Sequence, residues 1–346
     1  MDNNSRYGIG RVISPKGVLP QAATRLDNNM VISDDEILVD VKTLNIDSAS
    51  FTQIAEVCHN NLQAIGDMVL SIVKERGKMQ NPVTGSGGMF LGKVNQVGKA
   101  LNIDLKPGDE IASLVSLSLT PLRIDRIKSI HPEKDQIDIE GQAILFASGI
   151  YAKIPNDLPS SLVLAALDVA GAPAQTAKLV KKGDTVLVIG ASGKSGLLVS
   201  YQAKKSAGPE GKVIGIINDI RQLEDLQSIN ACDEIIKGDA TNPLEIYEKV
   251  LSANGNEKVD VTINVVNVPN TEMTSILPTK DDGTVYFFSM ATSFAKAALG
   301  AEGIACEATM IIGNGYTAGH ADLTMDLFRE SRTLYDIFMQ RYGSGE

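Results

Sequence analysis

Two periodicities divide the chain. Residues 37–44, Ile-Leu-Val-Asp-Val-Lys-Thr-Leu, alternate well enough for a half-exposed strand that ends in the polar tip Asn45-Ile-Asp-Ser48. Leu62, Ile65, Val69, Ile72 and Val73 then recur at helical spacing, which predicts an amphipathic helix over 50–76, stopped by Gly77 and Asn81-Pro82. Its apolar face reads as core packing. Gly85-Ser-Gly-Gly88 reopens β-structure, with strands expected at 91–97 and 110–117 and Lys106-Pro-Gly-Asp109 as the turn between them. Past Ile154-Pro155 the texture changes. Helices at 161–179, from 195, at 221–228 and at 244–251 alternate with apolar strands at 186–189, 212–217, 234–236, 259–266 and 284–289. Alternation of this kind builds a parallel sheet with right-handed crossovers, here in the expected order 3-2-1-4-5-6. Leu323, Leu327, Leu334, Ile337 and Phe338 mark a closing helix over 322–342 that is expected to pack back on the first half. The fold class is therefore α/β, a doubly wound parallel sheet plus a β-rich domain. The expected division is 1–155 together with 313–346 against 156–312.

Composition narrows the partners. A chain of 346 residues, 43% hydrophobic, is long enough for two cores. A formal charge of -10 and a pI near 5.0 argue against nucleic acid or an anionic membrane surface and leave small molecules as the expected partners. No apolar run is long enough to span a bilayer, and the start Met1-Asp2-Asn3-Asn4-Ser5 is polar, so a cytoplasmic protein is expected. Cys58, Cys232 and Cys306 are odd in number and far apart, which excludes a disulfide framework and a C-x-x-C zinc pair.

Candidate chemistry starts at Thr185-Val-Leu-Val-Ile-Gly-Ala-Ser-Gly-Lys-Ser-Gly196. A buried strand runs into a turn marked by Gly190, Gly193 and Gly196, with Ser192, Lys194 and Ser195 between them at the start of a helix. Such a turn lets the backbone approach a pyrophosphate, and the free N–H groups of the helix N-terminus attract its oxygens. The spacing is G-x-x-G-x-x-G, so Gly193 and Gly196 take the second and third roles of the dinucleotide fingerprint, and the first falls on Ala191 or Gly190. A P-loop reading of Gly193-Lys194-Ser195 would need a glycine at Val188, inside the strand. Asn218 and Asp219 follow the second strand about twenty residues beyond Gly196, where an acidic side chain holds a ribose hydroxyl. This favours NAD. Arg221 would suit a 2′-phosphate and keeps NADP as the lesser alternative. Val266 and Asn267 after the fourth strand, and Ser289 and Met290 after the fifth, would flank the nicotinamide half.

These landmarks, in the order Lys106-Pro-Gly-Asp109, Lys153-Ile-Pro155, Lys182-Gly-Asp-Thr185 and the glycine turn, resemble the medium-chain dehydrogenase/reductase superfamily over nearly the whole chain. The resemblance implies a GroES-like catalytic domain beside a Rossmann domain, and pairing of two copies through the edge of the Rossmann sheet, hence a homodimer. Zinc-dependent members have Gly-His-Glu where this chain has Gly85-Ser86-Gly87, and a cysteine near Asp47 and Ser48, so no metal is expected. Within the superfamily, Ser5-Arg-Tyr-Gly-Ile-Gly10, Pro15-Lys-Gly-Val-Leu-Pro20, Gly85-Ser-Gly-Gly-Met-Phe90 and Gly313-Asn-Gly-Tyr-Thr-Ala-Gly-His-Ala-Asp322 resemble the L-erythro-3,5-diaminohexanoate dehydrogenase family. That likeness implies NAD-dependent oxidative deamination of a diamino acid at C3, giving 5-amino-3-oxohexanoate, ammonia and NADH in anaerobic lysine fermentation. The alternative is a zinc-free, NADPH-dependent quinone or enoyl reductase of the same superfamily.

Hydride leaves C3 only when the neighbouring nitrogen is an uncharged amine, so a general base is needed. Asp47 at the strand tip and Asp168, inside the apolar Val163-Leu-Ala-Ala-Leu-Asp-Val-Ala170 stretch, are the carboxylates best suited to that base or to the distal ammonium. In the resembled superfamily the Asp168 helix runs past the nicotinamide. His320, in a glycine-rich loop with Tyr316, is a candidate base or proton relay. Ser48, Ser86 and Tyr316 are candidate substrate contacts, and Arg123 could meet the substrate carboxylate. Bland rivals stand beside each: a structural hydrogen bond for Asp168, an exposed loop histidine for His320, and a surface charge on a strand for Arg123.

Overall fold

The computed structural model describes residues 6–343 apart from Asn314, so Ser5 and Asn314 of two quoted motifs lie outside the described residues. The chain forms two compact units, Met1–Leu164 and Ala165–Glu346, a division nine residues later than the texture change at 155 suggested.

In the first unit, β1 (Val12–Ser14) pairs antiparallel with β2 (Arg25–Leu26), and a long strand β3 (Glu36–Asn45) follows. The helix expected over 50–76 is corrected to two, α1 (Ser48–Val57) and α2 (Leu62–Arg76). His59 and Asn60 take positive φ of 51° and 57°, which no helix continues through, and the Asn61 side chain caps α2 by accepting from the Ala64 N–H. Gly77, at φ 69°, ends α2 in the left-handed conformation that glycine adopts without strain. Then come β4 (Met89–Val97), β5 (Glu110–Ser113), β6 (Leu122–His131), β7 (Gln136–Phe146) and β8 (Tyr151–Lys153). They join β3 in a six-stranded antiparallel sheet of order β6-β7-β3-β4-β5-β8. Val39, Val41 and Leu44 of β3 pack with Ile54 of α1 and Ile65, Val69 and Val73 of α2 in one core. Each such fully buried side chain contributes about 1.5–3 kcal/mol relative to exposure.

The expected helix over 161–179 is also broken, into α3 (Ser160–Leu167) and α4 (Gly171–Leu179). Pro173 supplies the reason, because it has no N–H for the Val169 carbonyl and its ring crowds that carbonyl. Asp168 therefore sits in a turn and not within a helix. The second unit continues through β9 (Thr185–Ile189), α5 (Lys194–Ala207), β10 (Lys212–Ile217), α6 (Leu223–Ser228), β11 (Glu234–Lys237) and α7 (Pro243–Ala253). It closes with β12 (Val259–Asn264), α8 (Glu272–Ile276), β13 (Thr279–Phe287), α9 (Phe294–Gly303), β14 (Thr309–Ile312), α10 (His320–Glu330) and α11 (Arg332–Tyr342). All six strands run parallel in the order β11-β10-β9-β12-β13-β14, the doubly wound 3-2-1-4-5-6 arrangement. Val186, Leu187, Val188 and Ile189 of the central strand β9 are fully buried, as helices on both faces require.

The closing segment differs from expectation twice. Ser331 interrupts it and caps α11 by accepting from the Leu334 N–H. It also belongs to the second unit and not to the first, with α10 packed on α4 and α5.

Candidate active site

The carboxyl end of β9 runs straight into the glycine turn. Gly190 has φ 89°, and the Gly190 and Ala191 N–H groups both donate to the Ile216 carbonyl of β10. A Cβ at Gly196 would lie 2.0 Å from the Gly190 carbonyl oxygen, so only glycine lets α5 pack this closely on the strand. A Cβ at Gly193 would meet nothing nearer than that same oxygen at 3.5 Å, so this side of the turn is open. Gly193 is also the N-cap of α5, and no side chain caps the helix. The N–H groups of its first turn lie N-terminal to the first helical hydrogen bond, which Leu197 donates to the Gly193 carbonyl, and the 14-residue helix directs its positive end there. A dinucleotide pyrophosphate fits this cradle.

Around the turn the charged residues are paired. Lys194 Nζ donates to Asp168 Oδ2 at 2.6 Å and lies 5.8 Å from the centre of the Tyr342 ring. Both Lys194 and Asp168 side chains are 23% exposed, so the ion pair faces the surface of the cradle. Asp168 Oδ1 accepts no hydrogen bond from the described residues. Beside this pair, Gly171 meets the Gly315 backbone so closely that a Cβ would come within 2.5 Å of it, and Thr317 Oγ1 donates to Gln175 Oε1 at 3.1 Å. The glycine-rich loop thus lies along the start of α4. His320 is the first residue of α10 and is buried, a correction to the exposed loop histidine of the rival reading. Burial holds its imidazole below the ordinary value, outweighing a backbone hydrogen bond at Thr317 and the charge of Asp322. The half-exposed Tyr316 ring packs edge-on against it at 5.4 Å.

Other strand ends supply further walls. After β10, Asn218 is exposed, and the Asp219 carboxylate takes both the N–H and the guanidinium of Arg221. Those side-chain and backbone hydrogen bonds hold Asp219 below the usual carboxylate range. After β12, Val266 packs against Gly190, while Asn267 points to solvent. After β13, Ser289 Oγ accepts from the Ala291 N–H at 3.1 Å, and Met290 is 82% exposed. Turn, ribose-end acid and both loops share the carboxyl edge of the parallel sheet, where open α/β sheets bind ligands.

The candidates of the first unit have local partners. Asp47 caps α1 by accepting from the Ala49 N–H, and the exposed Ser48 hydroxyl donates to Asp135. Ser86 Oγ lies 2.6 Å from Ser50 Oγ, which also contacts Thr84 Oγ1, so three hydroxyls meet there. Arg123 faces solvent on the edge strand β6 and is taken up by Asp125 and Gln142. Among the described residues no group of three His, Cys, Asp or Glu side chains converges as a metal site would.

Three contributors escaped the sequence reading. Buried Ser50 looked like an ordinary helix serine. Asn264 closes strand β12, donates to Thr271 and Ser275 Oγ at 2.9 Å each, and accepts from Val266 N–H, which fixes the loop over the turn. The available signal was an amide side chain at the point where the strand Val259-Asp-Val-Thr-Ile-Asn264 gives way to its loop. Arg341, near the chain end, donates to the Ser192 carbonyl at 2.9 Å and carried no signal at all.

Residues 10–155 match the L-erythro-3,5-diaminohexanoate dehydrogenase N-terminal domain. The chain is 56% identical over 339 residues to the L-erythro-3,5-diaminohexanoate dehydrogenase of Acetoanaerobium sticklandii, covering 97% of this chain and 98% of that one. It is 55% identical over 344 residues to the enzyme of the same name from Fusobacterium nucleatum, covering 99% and 100%. Among solved structures it is similar in fold to the CurK enoyl reductase, with a TM-score of 0.57 at 15% identity over 92% of this chain and 90% of that one. An alcohol dehydrogenase from Thermus sp. ATN1 gives 0.51 at 19% identity over 92% and 87%. With relatives matched this far along its length, the chain belongs to the L-erythro-3,5-diaminohexanoate dehydrogenase family.

Proposed function

We propose that this protein catalyses the NAD-dependent oxidative deamination of L-erythro-3,5-diaminohexanoate at C3 in lysine fermentation. One water enters, 5-amino-3-oxohexanoate forms, and ammonium and a proton leave as NADH is made. The observation that carries this reading is the 56% identity, over 97% of the chain, to a dehydrogenase of that name. The glycine cradle supports it. When bound, the nicotinamide cofactor supplies the hydride acceptor. His320, uncharged at mildly alkaline pH, takes the proton that the C3 ammonium must lose before hydride can leave. Asp168 meets the distal ammonium through Oδ1, since Lys194 occupies Oδ2. Tyr316 holds the imidazole edge-on and lines the same wall. Ser86, backed by Ser50 and Thr84, offers a hydroxyl to water or amine, and Asp47 and Ser48 at the start of α1 stand as further substrate contacts. Arg123 is left out because Asp125 and Gln142 hold its guanidinium.

NAD is preferred to NADP because the Asp219 carboxylate would repel a 2′-phosphate and keeps Arg221 paired. No catalytic metal takes part, a reading supported by Ser86 and Gly87 standing where the resembled zinc enzymes have His and Glu, with no cysteine near Asp47 and Ser48. A cytoplasmic location is part of this proposal. The protein pairs as a homodimer through β14, an edge strand with Met310 and Ile312 exposed.

The test is NADH formation from NAD and the diamino acid at mildly alkaline pH with excess chelator, beside NADP, lysine and a quinone with NADPH. Turnover with the diamino acid and NAD, indifferent to chelator, is expected. Silence there with NADPH oxidised by the quinone would move the function to the reductase alternative.

A further inference from the structure

We infer that Arg341, on the last turn of α11, is a positioning residue for dinucleotide binding: it holds the Ser192–Gly193 peptide that aims the first turn of α5. The inference rests on the glycine turn being the cofactor site. Arg341 Nη1 donates to the Ser192 carbonyl at 2.9 Å, while the N–H of the same peptide unit, on Gly193, donates to the Gly190 carbonyl at 3.2 Å. That peptide is pinned on both sides. Because Gly193 has no side chain to cap α5, backbone geometry alone directs the first N–H groups of the helix, and a peptide free to rotate would misdirect them.

The guanidinium has a second hold. Nε and Nη2 both donate to Asp225 on α6, the helix that follows the ribose-end Asp219, and the Arg341 side chain is only 15% exposed. One planar fork thus joins the pyrophosphate turn to the ribose side, a geometry that a lysine cannot reproduce. The neighbouring Tyr342 sets its ring beside Lys194, on the other side of Gly193. The end of α11 therefore grips the turn around its open glycine.

The experiment is a titration with NADH, followed by its own fluorescence, of the full chain and of Arg341→Ala, Arg341→Lys and Asp225→Ala. Steady-state kinetics and thermal melts accompany it. Arg341→Ala should weaken NADH about tenfold, which is about 1.4 kcal/mol. KM for NAD should rise with it, while kcat and the KM for the diamino acid change by less than about twofold. Arg341→Lys should recover part of the affinity, and Asp225→Ala, which keeps the Ser192 contact, should lose less than Arg341→Ala. Unchanged NADH affinity in Arg341→Ala would overturn the inference, as would equal losses for cofactor and diamino acid. Should the alanine variant not fold, Arg341→Lys decides, and wild-type affinity there overturns the idea. A wild-type chain that binds no NADH overturns the cofactor reading itself, a different result from any of these.

Discussion

Alanine at Gly193 and at Gly196 should separate cofactor binding from folding. At Gly193 the backbone has φ -74° and ψ 176°, open to any residue, and the added Cβ meets only the Gly190 oxygen at 3.5 Å. The fold should accept it within about 0.5 kcal/mol. The methyl group instead occupies the side from which a phosphate approaches. Hydrogen bonds to the helix N–H groups need about 2.9 Å, whereas a methyl carbon keeps a phosphate oxygen about 3.5 Å away. Losing one or two charge-assisted hydrogen bonds at about 1.5–3 kcal/mol each should raise the Kd for NADH by at least about tenfold. At Gly196 the same methyl would lie 2.0 Å from the Gly190 oxygen and 2.6 Å from the Ala191 carbonyl, all rigid backbone. Relief requires α5 to retreat from β9 by about 1 Å or more. Overpacking of this kind costs about 1–3 kcal/mol. In a unit of this size that lowers the melting temperature by about 2–10 °C. Thermal melts without ligand and NADH titrations on both variants read the two effects apart. A Gly196→Ala protein that melts like wild type, or a Gly193→Ala protein that binds NADH like wild type, would refute the packing argument.

Three further outcomes are expected. Fully buried Lys78 donates to the Pro20 carbonyl at 2.8 Å, and burial lowers its pKa to about 8. The unfolded chain then holds the proton between about pH 8 and 10.5 while the folded one releases it, so stability from this group rises with pH there by up to about 3 kcal/mol. Urea unfolding of wild type and Lys78→Met should show a gap that changes between neutral and alkaline pH; a constant gap would refute the linkage. Asp219→Ala should shift the NAD to NADP ratio of kcat/KM towards NADP by about tenfold, because it removes the ribose-end carboxylate and frees Arg221. An unmoved ratio would take Asp219 out of the ribose site. Asp168→Asn should cut turnover far more than NADH affinity, as single-turnover and binding measurements can show, and equal loss of both would move Asp168 away from the substrate.

Legibility followed the range of the forces. Strand β10 falls at 212–217 as expected and β9 within a residue, because an apolar run buried on both faces is a local signal, and the edge strand β11 also falls within a residue. The helix breaks at 58–61, 168–170 and 331 went unseen, since the apolar stripe continues across each of them. Pro173 is the local mark of the second break, because its ring crowds the Val169 carbonyl. Asp168 stood out as an acid among apolar residues, yet its context differed: a turn beside Lys194 spares it the helix interior. Arg123 and Asp47 looked chemically apt and found ordinary partners close in sequence, which residue type alone does not foretell.

By itself the sequence determined the parallel sheet, the strand order and the glycine turn, because periodicity and the demands of tight backbone packing act over a few residues and leave their mark in them. Tertiary structure decided what surrounds that turn. It brought Arg341 to the Ser192 carbonyl, 149 positions away, buried His320 at the start of α10, and placed the last two helices in the second unit. Such contacts depend on how helices of similar pattern choose among apolar faces. That choice is made by the summed packing of the whole core, which no single window of residues contains.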